Sequence, residues 1–294
     1  MPKDRTYGAQ SMVERLRRIL VKPPVETKGD VKRWRPYHYF HEPNPRRTLK
    51  EWEEYVAILR DEVGEVLVAS KKQKGALDSV FVQDPAMVLD KGALVCRMGN
   101  KVRRVEEKAA EEDLKAIGVP IKWRIKAPGT VEGGDCLWLD GKDLAVGIAY
   151  RTNMDGARQL QELLRGTVTV HTVHLPHWEG PETCFHLQSL VSMVDRRTAL
   201  AHKKMLPVVF LHKLKELGID IIEVVPEEFD GLAPNVLALR PGRVIMLAGY
   251  PKTRGRLVKA GIDVITFKAP ELCSNRTGGA TCLTRSILRD RPRR

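Results

Sequence analysis

No apolar run in the sequence approaches the roughly twenty residues a membrane-spanning helix needs, which argues against a membrane protein. The segment Met1-Pro2-Lys3-Asp4-Arg5 lacks the apolar core of a secretory leader, so the cytoplasm is the expected compartment. The five cysteines (Cys96, Cys136, Cys184, Cys273 and Cys282) are odd in number and form no Cys-x-x-Cys pair. That excludes a disulfide framework and a thiolate-rich zinc site as organising principles. Asparagine and glutamine are scarce while charged residues reach 30%, a bias shared with heat-adapted proteins. No nucleic-acid-binding motif accompanies the excess of 50 Lys+Arg over 37 Asp+Glu, a formal charge of +13. The basic residues are spread along the chain, with short runs only, at Arg103-Arg104 and Arg291 to Arg294. A solvated basic surface that attracts small anions fits this better than a nucleic-acid partner.

What is present is a repeat. A strand, a tight turn, a strand, a helix and a strand recur along the chain, and a polar residue heads each first strand. These heads are Asp84, Asp135, His186, Asn235 and Cys282, at intervals of 51, 51, 49 and 47 residues. Near-equal units of this length are the signature of a cyclic array. Because each unit carries its own helix, the expected fold is an α/β propeller of five blades, occupying residues 1–294 as one domain. Helices are expected over 49–64, 105–117, 154–164, 208–217 and 254–260 from their apolar spacing. First strands are expected over 81–89, 131–139, 184–194 and 234–239, and a basic strand lies within 12–24. The segment 26–47, rich in Pro, Lys, Arg and aromatics without a period, reads as a long surface loop or lid.

A propeller points its strand heads into one channel, and that turns scattered residues into a candidate site. Cys282 follows Gly278-Gly279 and precedes an alternating polar–apolar stretch, so it stands at the mouth of a strand, where a thiol can meet a substrate. A single cysteine is more often a small core residue. As a nucleophile it needs a base and an orienting acid. His186, set among apolar neighbours, is the candidate base, and Glu132 or Asp135, flanking two glycines, the orienting acid. Asp78 and Asp84, around the start of the Phe81 strand, suit a planar cation such as a guanidinium, which a carboxylate accepts with two parallel bonds. Arg103 and Arg151 suit the carboxylate at the other end of an amino acid, although most arginines are simply solvated. His171, His174 and His177 fit neither one strand face nor a helical pair, and Pro176 interrupts them, so no metal is assigned.

Assembled in this order, the motifs resemble the guanidino-group-modifying enzymes: dimethylarginine dimethylaminohydrolases, arginine deiminases and amidinotransferases. The resemblance rests on Phe-Val-Gln-Asp (81–84), Arg103-Arg104-x-Glu106, Glu-Gly-Gly-Asp (132–135), Arg-Thr-Asn (151–153), His-Leu (186–187) and Gly-Gly-Ala-Thr-Cys-Leu-Thr (278–284), and runs from about residue 12 to 288. It implies the five-bladed propeller fold, no cofactor, and a small guanidino compound as partner. It further implies Cys282 as nucleophile, His186 as general acid/base, Glu132 as its support, Asp78 and Asp84 on the guanidinium, and Arg103 and Arg151 on the substrate carboxylate. A dimer through propeller edges is the family's habit. The chain is most similar to the dimethylaminohydrolase branch. Gln83 stands where that branch usually has glutamate and deiminases have arginine, which leaves the preference for methylated arginine open. Gln188 replaces the aspartate of deiminases and amidinotransferases and argues against a standard deiminase site. Amidino transfer to a second amine through the same covalent adduct is the alternative reaction.

Overall fold

The computed structural model describes residues 5–24, 28–70, 76–181, 183 and 185–291. Its strands form five three-stranded sheets, the blades of an α/β propeller. One blade holds β3 (Ala86–Leu89), β4 (Gly92–Val95) and β5 (Ile121–Arg124). The next holds β6 (Cys136–Trp138), β7 (Asp143–Ile148) and β8 (Thr169–His174). The third contains β9 (Val191–Asp195), β10 (Thr198–Ala201) and β11 (Asp220–Glu223), and the fourth β12 (Leu237–Arg240), β13 (Arg243–Leu247) and β14 (Asp263–Phe267). The last blade is composite: β15 (Arg285–Arg289) pairs antiparallel with β1 (Leu16–Val21), which pairs parallel with β2 (Glu65–Val68).

Every blade follows one rule. The inner strand runs antiparallel to the middle strand, and the middle strand runs parallel to the outer one across a helix. The crossover helices are α1 (Pro45–Glu62), α2 (Glu106–Ala116), α3 (Met154–Leu163), α4 (Val208–Glu216) and α5 (Pro251–Lys259). In the first blade the inner and middle strands read as apolar runs, and β3 and β4 are buried at every position. The outer strands are more exposed, and β5 alternates between half-buried and exposed residues because one face meets water.

The helices appear where the apolar spacing puts them, with shifted ends. α1 starts earlier than expected because Asn44 caps it, its side chain accepting the Arg46 and Arg47 amides at 3.1 Å, with Pro45 at the first turn. The first strands are shorter than expected. Over 81–89 only β3 is a strand: Gln83 and Asp84 give their backbone groups to residues of other blades, and Pro85 has no amide to give a ladder. The outer strands β5, β8, β11 and β14 lie in stretches to which the sequence assigned no range.

The segment 26–47 is not a plain surface loop. Residues 25–27 lie outside the described residues. Beyond them come two 3-10 turns, Val31–Arg33 and Arg35–Tyr37, and then Tyr37 and Tyr39 pack on Leu77. Only Phe40 is strongly exposed there among the aromatics, at 74%. No helix among the described residues is long and apolar enough to cross a membrane.

The composite blade is locked from within by Arg289, which is 1% exposed. Its guanidinium donates to the Glu14 carbonyl at 2.7 Å and the Ala238 carbonyl at 2.8 Å, joining the chain ahead of β1, β15 and the fourth blade. Arg289→Ala leaves two buried carbonyls without that donor, and a loss of about 2–4 kcal/mol is expected. Urea denaturation with an unchanged m value checks this; a midpoint equal to that of the wild type contradicts it.

Candidate active site

Backbone and side-chain bonds join four neighbouring pairs of the five strand heads. The Gln83 amide donates to the Cys282 carbonyl at 3.2 Å, and the Gly133 amide to the Asp84 carbonyl at 2.9 Å. The Leu187 amide donates to Asp135 Oδ1 at 3.0 Å, and the Thr281 amide to Asn235 Oδ1 at 3.0 Å. Each head is therefore set by its neighbour and not by its own blade alone.

Glu132 is fully buried just before the Gly133–Asp135 turn. Its Oε1 accepts the Asn100 amide at 2.9 Å, and its Oε2 lies 2.8 Å from His186 Nε2 and 3.7 Å from Arg151 Nη1. Burial opposes its charge, but Arg151, the His186 bond and Arg103 outweigh burial and hold the carboxyl below its ordinary range. His186 caps the Leu187–Ser189 turn: its side chain accepts the Ser189 amide, and the Ser189 hydroxyl accepts the His186 amide at 3.2 Å. With Nε2 committed to Glu132, that acceptor is Nδ1, which assigns the ring proton to Nε2. Gly134 lies against the ring. A Cβ there would stand 2.6 Å from His186 Nδ1 and 2.9 Å from Asp84 Oδ1, so no side chain fits while both groups keep their places.

Asp84 Oδ1 accepts the Gly134 amide at 3.0 Å, and its Oδ2 accepts Arg103 Nη1 at 2.6 Å. Arg103, expected at the substrate's carboxylate, is instead bonded inward. It is 2% exposed, grips Glu106 with Nε and Nη2, and stands 3.9 Å from Asp78. The cause is local: the Lys101–Val105 turn leads directly into α2, so Arg103 and Glu106 share a face. Burial pushes Glu106 up to about 7 despite Arg103, and raises Asp78, which accepts the Tyr39 hydroxyl at 2.6 Å. Arg151 lies close to Glu132, 6% exposed. Gln188 spends its amide on the carbonyls of Gly133 and Cys136, at 3.1 and 2.9 Å, and accepts Gln83 Nε2 at 3.4 Å. Cys282 is partly exposed, unlike the buried Cys96, Cys136 and Cys273.

Asp84, Glu132 and His186 bring one ligand atom each within 4.8 Å of one another, a set of a kind that can hold a metal ion. Those groups are already bonded to one another and to Arg103, and the guanidinium beside Asp84 works against a second cation. Of the histidines at 171, 174 and 177, His171 pairs with Asp143 at 2.6 Å and His177 with the Tyr150 hydroxyl at 2.7 Å.

Sequence reasoning missed Tyr39 and Arg276. Arg276 is buried against the Tyr39 ring, 5.0 Å from its centroid, and donates to the carbonyls of Glu271 and Leu77 at 3.2 Å. Together they tie the aromatic segment, Asp78 and the approach to Cys282. The aromatic clustering over 34–40 was the available signal.

Five α/β blades with a cysteine, a histidine–glutamate pair and paired aspartates at the strand heads define a guanidino-group-modifying propeller. The family profile described as N,N dimethylarginine dimethylhydrolase, eukaryotic, matches residues 36–289. The N(G),N(G)-dimethylarginine dimethylaminohydrolase of Pseudomonas aeruginosa is 33% identical over 208 residues, 70% of this chain and 76% of that protein. The protein of the same name from Streptomyces coelicolor is 30% identical over 243 residues, 80% of this chain and 84% of the other. A solved structure of the Pseudomonas aeruginosa protein, a cysteine-to-serine mutant with citrulline, superposes with a TM-score of 0.75 at 27% identity, covering 93% of this chain and all of that one. The chain belongs to the dimethylarginine dimethylaminohydrolase family.

Burial pushes Asp135 up to about 6 from an ordinary 3.8, although the His186 charge and the Leu187 amide oppose it. Its folded value lies above its unfolded one, so the folded chain holds the proton longer. Stability from this group falls as pH rises from about 4 to about 6, and the cost is complete above that. Asp135→Asn keeps an oxygen for the Leu187 amide, so at pH 7 it is expected to be more stable than wild type by about 1–3 kcal/mol, the gap closing near pH 4. Chemical denaturation at both pH values checks this; an equal gap at both refutes it.

Proposed function

We propose that the chain hydrolyses a guanidino C–N bond of arginine or an Nω-methylated arginine, giving citrulline and ammonia or an amine. The observation that carries this reading is the cluster around Gly134: its amide donates to Asp84 Oδ1 at 3.0 Å, the His186 ring packs against it, and the Gln83 amide next to Asp84 donates to the Cys282 carbonyl at 3.2 Å. In this reading the reacting carbon binds beside that cluster, the guanidinium facing Asp84 and Asp78, with Gln83 and Asp135 in the surrounding wall. Arg151 takes the substrate's carboxylate. Arg103 serves as counter-charge to Asp84 and Glu106, the position its bonds favour.

His186 Nδ1 takes the Cys282 proton while Glu132 holds Nε2–H and favours the resulting imidazolium. The Ser189 amide then keeps its bond to the His186 carbonyl at 2.9 Å. The thiolate attacks the guanidinium carbon and a C–S bond forms. The C–N bond breaks as His186 returns its proton to the departing nitrogen, leaving a thiouronium adduct. Water gives a proton to His186 and adds as hydroxide to the same carbon; the C–S bond breaks with its electron pair to sulfur, the hydroxyl proton is lost to solvent to leave the citrulline carbonyl, and His186 returns its proton to the Cys282 thiolate. Gln188 offers a neutral amide, already bonded to two carbonyls, where a deiminase would present a carboxylate; this favours the dimethylaminohydrolase reading over the deiminase one.

Citrulline release from arginine, monomethylarginine and dimethylarginine tests the reading. Cys282→Ser is expected to abolish turnover. Gly134→Ala, which crowds the imidazole without touching the thiol, is expected to lower it by about 10²–10⁴-fold with the fold retained by circular dichroism. Absence of turnover with every guanidine tried refutes the hydrolase.

A further inference from the structure

Asn235 heads the fourth blade's inner strand and has no part in the reaction as described above. Its surroundings are built with care around one contact. Asn235 is 3% exposed, and its own amide is anchored to the Leu232 carbonyl at 2.9 Å. Side-chain Oδ1 accepts the Thr281 amide at 3.0 Å, and Nδ2 donates to the Cys282 sulfur at 3.3 Å. The orientation of the side-chain amide is fixed by the first bond: rotated by half a turn, it would set N–H against N–H at Thr281 and oxygen against sulfur at Cys282. A second tie runs parallel to it, from the Thr281 hydroxyl to the Val236 carbonyl at 3.0 Å. Gly279 gives Asn235 its room, because a Cβ at 279 would stand 2.5 Å from Asn235 Oδ1. The second glycine of the Gly-Gly-Ala-Thr-Cys motif is thus explained by this side chain.

We propose that Asn235 is a positioning residue for the nucleophile: it clamps the Cys282 backbone through Thr281 and gives the sulfur a hydrogen bond that is stronger to the thiolate than to the thiol. The proposal rests on the reading of Cys282 as nucleophile and deepens it. A neutral sulfur is a weak acceptor, whereas a thiolate is a charged one, so a fixed N–H donor favours ionisation. Tyr55 of α1 and Cys273 of the turn before the motif both act electrostatically on Cys282, and burial keeps both protonated, while His186 is the base that meets it in the proposed reaction. Tyr55 also spends its hydroxyl on the Ala280 carbonyl at 2.8 Å. Neither of these two groups therefore sets a negative charge against the donor from Asn235.

Two roles are separable, because an aspartate keeps one and reverses the other. In Asn235→Asp an oxygen still accepts the Thr281 amide, so the clamp survives, while the donor to sulfur is replaced by a negative oxygen. The probe is iodoacetamide, with the alkylation rate of Cys282 followed by peptide mapping from pH 5 to 10. The expected result is a rise of the alkylation midpoint by at least one pH unit in Asn235→Asp, tenfold less thiolate at a pH below both midpoints. Gly279→Ala, which pushes the amide from the sulfur by crowding Oδ1, is expected to raise the midpoint less, and it covers the case of an unfolded Asn235→Asp protein. An unmoved midpoint in whichever of the two variants folds overturns the proposal and leaves Asn235 as a structural clamp. This readout needs no substrate. A shifted midpoint with no guanidine turnover in the wild type would sink the hydrolase reading and spare this one; normal turnover with an unmoved midpoint does the reverse.

Discussion

The pairing of β15 with β1 is the contact on which the rest of the molecule depends. The nucleophile candidate sits three residues before β15, and nothing in its own neighbourhood of sequence would hold it beside Gln83 and Asn235. The ladder from Leu16–Arg289 to Leu20–Arg285 carries it there, and Ile287, fully buried in the small cluster with Leu20, Val88 and Ala93, packs it in place. Sheets of three short strands are weak alone. Here each becomes stable because its inner strand is shared with the apolar interior of its neighbours, β9 beside β12 and β15 beside β3. Geometry at the strand heads is thus a property of the whole ring.

Charge is the second constraint. Asp78, Asp84, Glu106, Glu132 and Asp135 are all buried around Arg103 and Arg151. Isolated carboxylates could not persist in that environment; they persist because each is either paired with a guanidinium or hydrogen-bonded to backbone amides. The pairing is uneven. Glu132 is driven toward the ionised form, whereas Glu106 and Asp135 are driven toward the neutral one. The histidine consequently hydrogen-bonds a firmly ionised carboxylate through Nε2, and that bond fixes the place of its proton.

Much of this was legible in the sequence because the propeller repeats. The heads at 84, 135, 186, 235 and 282 could be counted, and the chemistry of the cysteine, the histidine and the acids follows from residue type. What escaped has physical reasons. The expected strand over 81–89 begins only at Ala86 because Gln83 and Asp84 spend their backbone groups on other blades, which no local pattern records. Arg103 looked like a free cation because its partners Asp84 and Asp78 lie nineteen and twenty-five residues away, across a turn. Tyr39 looked like part of a loop because its function is a single hydroxyl on Asp78. Asn235 was counted as a head, but an amide gives no hint in sequence of whether it faces sulfur, substrate or solvent.

The ring of heads also separates what the molecule is from what it does. Each blade keeps its fold with apolar strands and a crossover helix, and offers just one or two side chains to the axis, held by amides of the adjoining blade. Such a seat accepts a change of occupant without disturbing the masonry behind it. An aspartate, a histidine, an asparagine or a cysteine can be exchanged seat by seat, so reaction type drifts through a handful of positions while the scaffold is inherited whole.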